Sequence, residues 1–181
     1  MKLLTTTLIA LLISVSAFAQ QDFPRNEIRL NLATTAFAFY PEVFYERVIN
    51  QELGVGASFG FGGAENYWLY YNLNFNFTPF FRWYFAGNRE TTRVAASGFF
   101  IEANTSLFSY NGWHTTSFYE DGSWIFDSRY ERHFTSGVGV GIGWKYLTNN
   151  WIGELLIGGG RSFSSDRGGY PRFAISIGRR F

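Results

Sequence analysis

The sequence has no cysteine and contains only two histidines, one methionine and four prolines among its 181 residues. Without cysteine the chain has no disulfide, no thiolate metal site, no cysteine nucleophile and no lipid-modified cysteine. The formal charge is only +1, so the clustered positive charge that binds a nucleic-acid backbone is missing. We therefore expect no nucleic-acid partner.

Long apolar runs are also scarce. The run near the N-terminus, from Leu8 to Val15, is shorter than the roughly 20 apolar residues that a membrane-spanning helix needs. Lys2 precedes it, and Ala17-Phe18-Ala19 follows it with the small-x-small form of a signal peptidase site. These features predict a signal peptide at 1–19 and an exported domain at 20–181. Loss of Lys2 would leave acidic and basic residues equal in number.

Aromatic residues are abundant, at 21% of the chain, and they occur beside 20 glycines. Apolar and polar residues alternate with a period of two, which predicts β-strands rather than helices. Within 67–78 rings and leucines share one face, whereas asparagines recur on the other. Within 137–145 valine, isoleucine and tryptophan oppose glycines and one lysine. The segments 53–61 and 172–178 follow the same rule.

This alternation fits two arrangements. A soluble sandwich or lipocalin-like barrel would turn the apolar face inward, around a ligand cavity lined by Leu69, Leu73, Phe75 and Val140. A membrane barrel would turn that face outward, and the small and amide side chains of the polar face suit a narrow lumen. Tyrosine and tryptophan near strand ends also suit a membrane interface, and these residues are Tyr67, Trp68, Trp83, Tyr84, Trp144, Tyr146 and Trp151. The pattern favours the membrane barrel.

Turn signals divide the chain into eight strands. The predicted strands are 26–36, 42–49, 52–62, 67–85, 93–110, 124–147, 151–163 and 170–181. The sequence therefore predicts an all-β fold, an eight-stranded antiparallel up-and-down transmembrane β-barrel. An even strand number places both termini on the periplasmic side and the longest connection, 111–123, outside.

The fifth and sixth strands with their connection are longer than the about 9–11 residues that cross a membrane. Charged residues occupy both faces near 127–132, so neither face suits lipid, and we expect the hairpin from Thr105 to Thr135 to protrude. Its free edges could capture a strand of another protein; alternatively it is a rigid stalk or contacts lipopolysaccharide sugars. The candidate residues are Trp113, His114, Asp127, Arg129, Glu131 and Arg132.

Ionisable residues also fall on the predicted lumen face. Because unpaired charges in a narrow lumen would be costly, we expect them to pair. The pairs would plug and rigidify the barrel, or would gate a narrow ion path by changing partners. The predicted network comprises Glu27, Arg29, Glu46, Arg82, Glu102, Lys145, Glu154, Arg172 and Arg180.

The run YPEVFYERVINQELGVGASFGFG (Tyr40 to Gly62), the strand ending FTPFFRWYF and the terminal Phe181 resemble the small eight-stranded outer-membrane barrels of the OmpA transmembrane domain and OmpX class. They are more similar still to an uncharacterised barrel family of Bacteroidota. The resemblance implies a bacterial outer-membrane location, contact with membrane lipids and lipopolysaccharide, and insertion by the barrel-insertion machinery. The insertion signal would comprise Phe173, Ile175, Ile177 and Phe181, although Arg179 departs from its usual apolar pattern. The resemblance brings neither cofactor nor activity.

One enzyme of this barrel class, a lipid A deacylase, has a serine two residues after its histidine. Here Thr135 stands two residues after His133, and Ser136 comes one residue too late and points to the opposite face. The sequence also lacks metal-ligand spacing and a phosphate loop. We therefore expect a structural or surface-interaction protein, without a cofactor, rather than an enzyme.

Overall fold

The computed structural model describes residues 24–62, 73–85, 95–120, 123–163 and 168–181. Side chains at 112–116, 118, 120, 125–128 and 130 are not among those described. The predicted signal peptide at 1–19 and the predicted interface residues Tyr67 and Trp68 lie outside the described residues. No helix in the described ranges is long and apolar enough to cross a membrane.

Eight antiparallel strands close into a barrel in which each strand pairs with its neighbours in sequence and the last pairs with the first. The predicted fold class is confirmed. The strands are β1 (Asn26–Asn31), β2 (Glu42–Val48), β3 (Leu53–Phe61), β4 (Leu73–Phe85), β5 (Gly98–Glu120), β6 (Ser123–Thr148), β7 (Trp151–Ser162) and β8 (Tyr170–Arg180). A short helix, α1 (Leu32–Ala38), follows β1. We call the end that holds Asn26 and Phe181 the termini end, and the opposite end the hairpin end.

Alternation along each strand places apolar side chains outside the barrel and polar side chains inside. Phe59, Phe81 and Ile157 are about half exposed on the outer surface, whereas Ser58 and Arg82 beside them are fully buried. Val140, which the soluble arrangement would place in a cavity, is 65% exposed. Leu73 departs from the rule: a bulge in β4 between Leu73 and Phe75 shifts the register with β5, and Leu73 borders an interior cavity.

Inward-facing glycines lie beside large rings of the neighbouring strand. Phe80 of β4 lies over Gly56 of β3, and a Cβ atom at Gly56 would come within 2.6 Å of its ring. The Phe100 ring of β5 lies against Gly143 of β6, with equally little room for a Cβ. The inward glycines are therefore required by the rings that fill the barrel, because interiors of this density leave no space for a further methyl group.

We expect Gly56→Ala to lower the free energy of unfolding by about 1–3 kcal/mol, because the new methyl overpacks Phe80 and the Tyr45 carbonyl. Gly153→Ala is the matched control, since no atom lies within 4 Å of a Cβ there. It should be neutral or raise stability by up to about 1 kcal/mol. Urea unfolding of the two variants in lipid vesicles measures the difference, and equal values would contradict this packing.

The main departure from the predicted strands is at the start of the chain. The strand predicted at 26–36 ends at Asn31, and Leu32–Ala38 forms α1 instead. Asn31 has the side chain of a helix N-cap, which accepts a hydrogen bond from Thr34 N. The helix ends at Phe39, whose left-handed backbone has φ of 48°. The alternation of apolar and polar residues does not reveal a helix N-cap, so the first strand was predicted too long.

The predicted bounds of the fifth strand, 93–110, are also wrong. Residues 95–96 form a turn, β5 begins at Gly98, and it continues to Glu120. The predicted strand 67–85 is described from Leu73 onward. The ends of the other strands differ from prediction by at most one residue.

Candidate functional site

The nine predicted network residues all lie buried in the barrel interior. A tenth charged residue, Glu42, lies with them and was missed by the sequence analysis. It precedes Glu46 by four residues on the same face of β2, so alternation would have found it. With Glu42 the interior of the described barrel holds five carboxylates and five cations. The buried charges therefore balance.

Arg82 joins three carboxylates from three other strands. Its Nη1 donates to Glu46 and to Glu154, each at 2.8 Å, and its Nε donates to Glu102 at 2.8 Å. The guanidinium lies between the rings of Phe80 and Phe100, at 4.3 and 4.5 Å from their centroids. This cation thus connects β4 with β2, β5 and β7 across the lumen, within a cage of two rings.

Glu46 is the most heavily bonded carboxylate of the cluster. Besides Arg82, it accepts hydrogen bonds from Arg29 at 2.8 Å, Lys145 at 3.0 Å and the Tyr84 hydroxyl at 2.6 Å. Lys145 also donates to Glu27 at 2.7 Å, and Arg29 pairs with Glu27 as well. The charges form one continuous network rather than separate pairs.

Tyr84 corrects one prediction. It was expected at a membrane interface, but it is 1% exposed, and its hydroxyl bonds Glu46 inside the lumen. The other described members of the predicted aromatic girdle are about half exposed near the termini end, and these are Trp83, Trp144, Tyr146 and Trp151. Tyr84 follows Trp83 directly, so the two point to opposite faces of β4.

The turn at 95–96 folds under the termini end of the lumen. Arg180 bonds Glu27 from Nε at 2.8 Å and donates from Nη1 to the Ala95 carbonyl at 2.8 Å. Ala96 N donates to the Gln51 carbonyl at 2.9 Å, and both alanines pack in the apolar cluster beside Tyr84 and Phe100. Ionic side chains and this turn together fill the termini half of the barrel.

Asn31 is a site residue that alternation and charge did not identify. Its Nδ2 donates to Glu42 Oε2 at 2.9 Å and to the Phe173 carbonyl at 3.1 Å. Its Oδ1 accepts from Ile175 N at 3.3 Å and from Thr34 N at 3.4 Å. The side-chain amide therefore extends the β1–β8 ladder by one step and caps α1 at the same time. The sequence signal for this helix cap was an asparagine directly before a segment that contains alanine and threonine.

α1 occupies the place of a strand in the barrel wall. Pairing of β1 with β8 stops at Asn31↔Ser176, whereas β8 begins at Tyr170, and α1 packs against β8. The small side of the helix is buried and its large apolar residues are exposed. The buried residues are Ala33, Thr34 and Ala38, and the exposed ones are Leu32, Phe37 and Phe39. On this side of the barrel, β8 therefore pairs with β1 toward the termini end and packs against α1 toward the hairpin end.

The hairpin of β5 and β6 extends beyond its neighbours. β4 pairs with β5 as far as Tyr110, and β7 pairs with β6 as far as Gly137. Past those points β5 and β6 pair with no other described strand and remain paired with each other up to Glu120↔Ser123. The protruding part is therefore shorter than the predicted Thr105 to Thr135, and Thr135 itself is buried and bonds Ser162 at 3.1 Å.

The predicted hairpin residues lie on this extension. Arg129, Glu131 and Arg132 are exposed. Trp113, His114 and Asp127 belong to its paired backbone, and their side chains are not among those described. His133 stacks on Tyr110 with ring centroids 5.3 Å apart, and Tyr119 and Trp124 form an exposed ring pair near the tip, with centroids 5.4 Å apart.

The C-terminal residues predicted as an insertion signal lie on the outer surface, and they are Phe173, Ile175, Ile177 and Phe181. Arg179, the residue that departs from the pattern, is exposed beside Trp151 at 5.9 Å from its ring centroid. Among the described residues no group of three or more His, Asp or Glu side chains is arranged to hold a metal ion.

Comparisons with protein families and with curated protein sequences find no match. Among solved structures, the crystal structure of the N-terminal β-barrel domain of Pseudomonas aeruginosa OprF matches with a TM-score of 0.52. The match covers 89% of this chain and 100% of that chain at 11% sequence identity. At this identity the likeness shows the fold alone. The chain shares the β-barrel fold of the OprF domain.

Proposed function

We propose that the chain is an integral bacterial outer-membrane β-barrel with a structural role and a lumen closed by its own side chains. The observation that carries the proposal is the inverted barrel, with apolar side chains outside and ten charged ones buried within. Such a surface is stable in lipid and would aggregate in water. The fold shared with the OprF barrel domain supports the proposal. Membership of the Bacteroidota family remains a prediction.

The proposal includes export through the signal peptide at 1–19, insertion through the C-terminal aromatic signal, and contact with lipopolysaccharide at the outer surface. The termini end then faces the periplasm and the hairpin end faces outward. Since both termini lie at one end of an even-stranded barrel, this orientation places the short connections 49–52 and 149–150 and the longer connection 86–97 on the periplasmic side.

Migration of the outer-membrane fraction on a detergent gel tests the proposal. A closed barrel should resist detergent at room temperature and change its apparent size after boiling. A protein found in the soluble periplasmic fraction, with no change on boiling, would contradict both the location and the assignment of the faces.

A closed lumen is supported by the continuous ionic network and by Arg180, which ties the turn at 95–96 to Glu27. In planar bilayers we expect no single-channel current from the wild type, and Glu102→Ala should lower stability without creating conductance. Steady conductance that changes in Glu102→Ala would instead support the ion path. The proposal also predicts unchanged lipid A in cells that lack the protein, which mass spectrometry measures.

A second candidate function is surface binding through the protruding hairpin. The favouring observation is that β5 and β6, beyond Tyr110 and Gly137, pair only with each other among the described strands. Each strand therefore presents an outer edge to which an extended segment of another protein could add.

Shortening the hairpin separates the two functions. Residues 113–130 would be replaced by Asn-Gly, which joins the paired residues Gly112 and Glu131 through a tight turn. We expect an unchanged heat shift and a change in unfolding free energy within about 0.5 kcal/mol, since the replaced segments of β5 and β6 pair with each other beyond the last residues paired to β4 and β7. A photo-reactive residue at exposed Glu131 should cross-link a surface protein, and one at Val140 should not. Absence of any cross-link from Glu131 would contradict the binding role.

A further inference from the structure

Two arginines on the outer surface take no part in the interior network. Arg47 of β2 and Arg179 of β8 are both exposed at the termini end. β1 lies between them, with Asn26 opposite Arg47 and Ile28 opposite Arg179. Because strands lie about 4.8 Å apart and rise about 3.4 Å per residue, the Cα atoms of the two arginines are roughly 12 Å apart. Their long side chains can therefore reach a single group that lies over β1.

The charges of these two arginines are not neutralised by the barrel. Neither guanidinium forms an ion pair or a hydrogen bond with a described residue, and Arg179 contacts only the ring of Trp151 among them. Glu52, the exposed acidic side chain described at this end, interacts with other groups. The outer surface beside β1 therefore presents two positive charges that are available to an anion.

Asn26 supplies a further donor between the two arginines. The Tyr45 hydroxyl donates to Asn26 Oδ1 at 2.9 Å, so the acceptor of this amide is already used. Its Nδ2 donates to no described residue. Two guanidiniums and one amide N–H₂ then offer donors only, and the group that suits them accepts hydrogen bonds and carries negative charge. A phosphate has both properties, and arginine binds it through two parallel hydrogen bonds.

The surroundings of these donors match the boundary between lipid head groups and hydrocarbon. Arg179 lies 5.9 Å from the ring of Trp151, which belongs to the aromatic girdle at this end, and such girdles lie at the level of the head groups. Toward the middle of the barrel the outer face beside β1 is apolar, with Ile28, Val43 and Ile177 exposed. A phosphate at the arginines would therefore have hydrocarbon chains on the apolar side.

We propose that the outer face of β1 at the termini end binds an anionic phospholipid. Its phosphate lies between Arg47 and Arg179, and its acyl chains cover Ile28 and Ile177. A zwitterionic phospholipid suits the site less well, because its ammonium group would lie beside two guanidiniums. The site rests on the proposed membrane location and orientation, in which the termini end meets the periplasmic leaflet.

The probes are phosphatidylglycerol and phosphatidylethanolamine with the same dioleoyl chains, each titrated against the full barrel in a neutral detergent. Native mass spectrometry counts the bound lipid molecules. Arg47→Gln with Arg179→Gln removes both charges of the site. Arg132→Gln with Arg161→Gln is the matched control, because it removes two exposed arginines at the hairpin end and leaves the same net charge.

We expect the wild type and the control to bind one phosphatidylglycerol at least about tenfold more tightly than phosphatidylethanolamine, and the Arg47 and Arg179 variant to bind the two lipids within about twofold. A preference that persists in that variant would overturn the proposal, and so would a preference that is lost equally in the control. The heat shift is read on the same samples. A wild type with the shift but without the lipid preference refutes this site alone, whereas a wild type without the shift refutes the membrane barrel.

Discussion

Arg82→Leu is expected to lower the free energy of unfolding by about 3–5 kcal/mol. The substitution removes the cation that Glu46, Glu102 and Glu154 share. The interior would then hold five carboxylates and four cations, all away from water, and the uncompensated charge accounts for most of the loss. Leucine would still fill part of the space between Phe80 and Phe100, so a large cavity is not the cause.

Urea titration in lipid vesicles, followed by the fraction that keeps the unheated gel mobility, measures this effect. Arg179→Leu is the matched control, because Arg179 lies on the same barrel but is exposed. We expect its effect to stay within about 0.5 kcal/mol. Similar losses of unfolding free energy in the two variants would show that the contribution of Arg82 to stability does not depend on its burial.

Removing a carboxylate together with Arg82 tests whether charge imbalance is the cause. Arg82→Leu with Glu154→Leu restores equal numbers of buried acidic and basic groups. The pair is linked at 2.8 Å, so the loss in the double variant should be smaller than the sum of the two single losses by about 1–3 kcal/mol. Additive losses would indicate that packing, rather than charge, dominates at this position.

Asn31→Ala is expected to lower the free energy of unfolding by about 2–3 kcal/mol. Alanine removes the cap of α1, which contributes about 1 kcal/mol. It also leaves Glu42 and the backbone of Phe173 and Ile175 without one hydrogen bond each, and buried groups of this kind are costly to leave unpaired. Hydrogen exchange should rise first at Ile175 N and at the first turn of α1.

Asn31→Asp distinguishes the two roles of Asn31. Aspartate is as good a helix cap as asparagine, but it offers no donor to Phe173 and places a sixth carboxylate next to Glu42. If Asn31 acts in the wall as well as at the helix, Asp should destabilise at neutral pH at least as strongly as Ala. If Asn31→Asp is as stable as the wild type, Asn31 acts only as a helix cap.

The faces of the strands could be predicted from the sequence because alternation is a property of the extended backbone itself. The glycines and asparagines of the lumen face and the nine network residues follow from it directly. Tyr84 shows where prediction from alternation fails. The ring of tyrosine suits both a membrane interface and a buried network, and local alternation decides between them only when its neighbour, Trp83, is assigned first.

The sequence by itself determined the class of fold, the number of strands, the apolar outer face and nine of the ten charged residues of the interior. Turn signals between strands give their number, and alternation along each strand gives its faces. The tertiary structure decided which charges meet, because Arg82 and Glu154, or Arg180 and Glu27, are brought together only when the barrel closes. It also decided that α1 packs against β8 in place of a longer β1. These contacts depend on closure of the barrel, which pairs β8 with β1 in a fixed register and brings side chains of β4 and β7 together across the lumen.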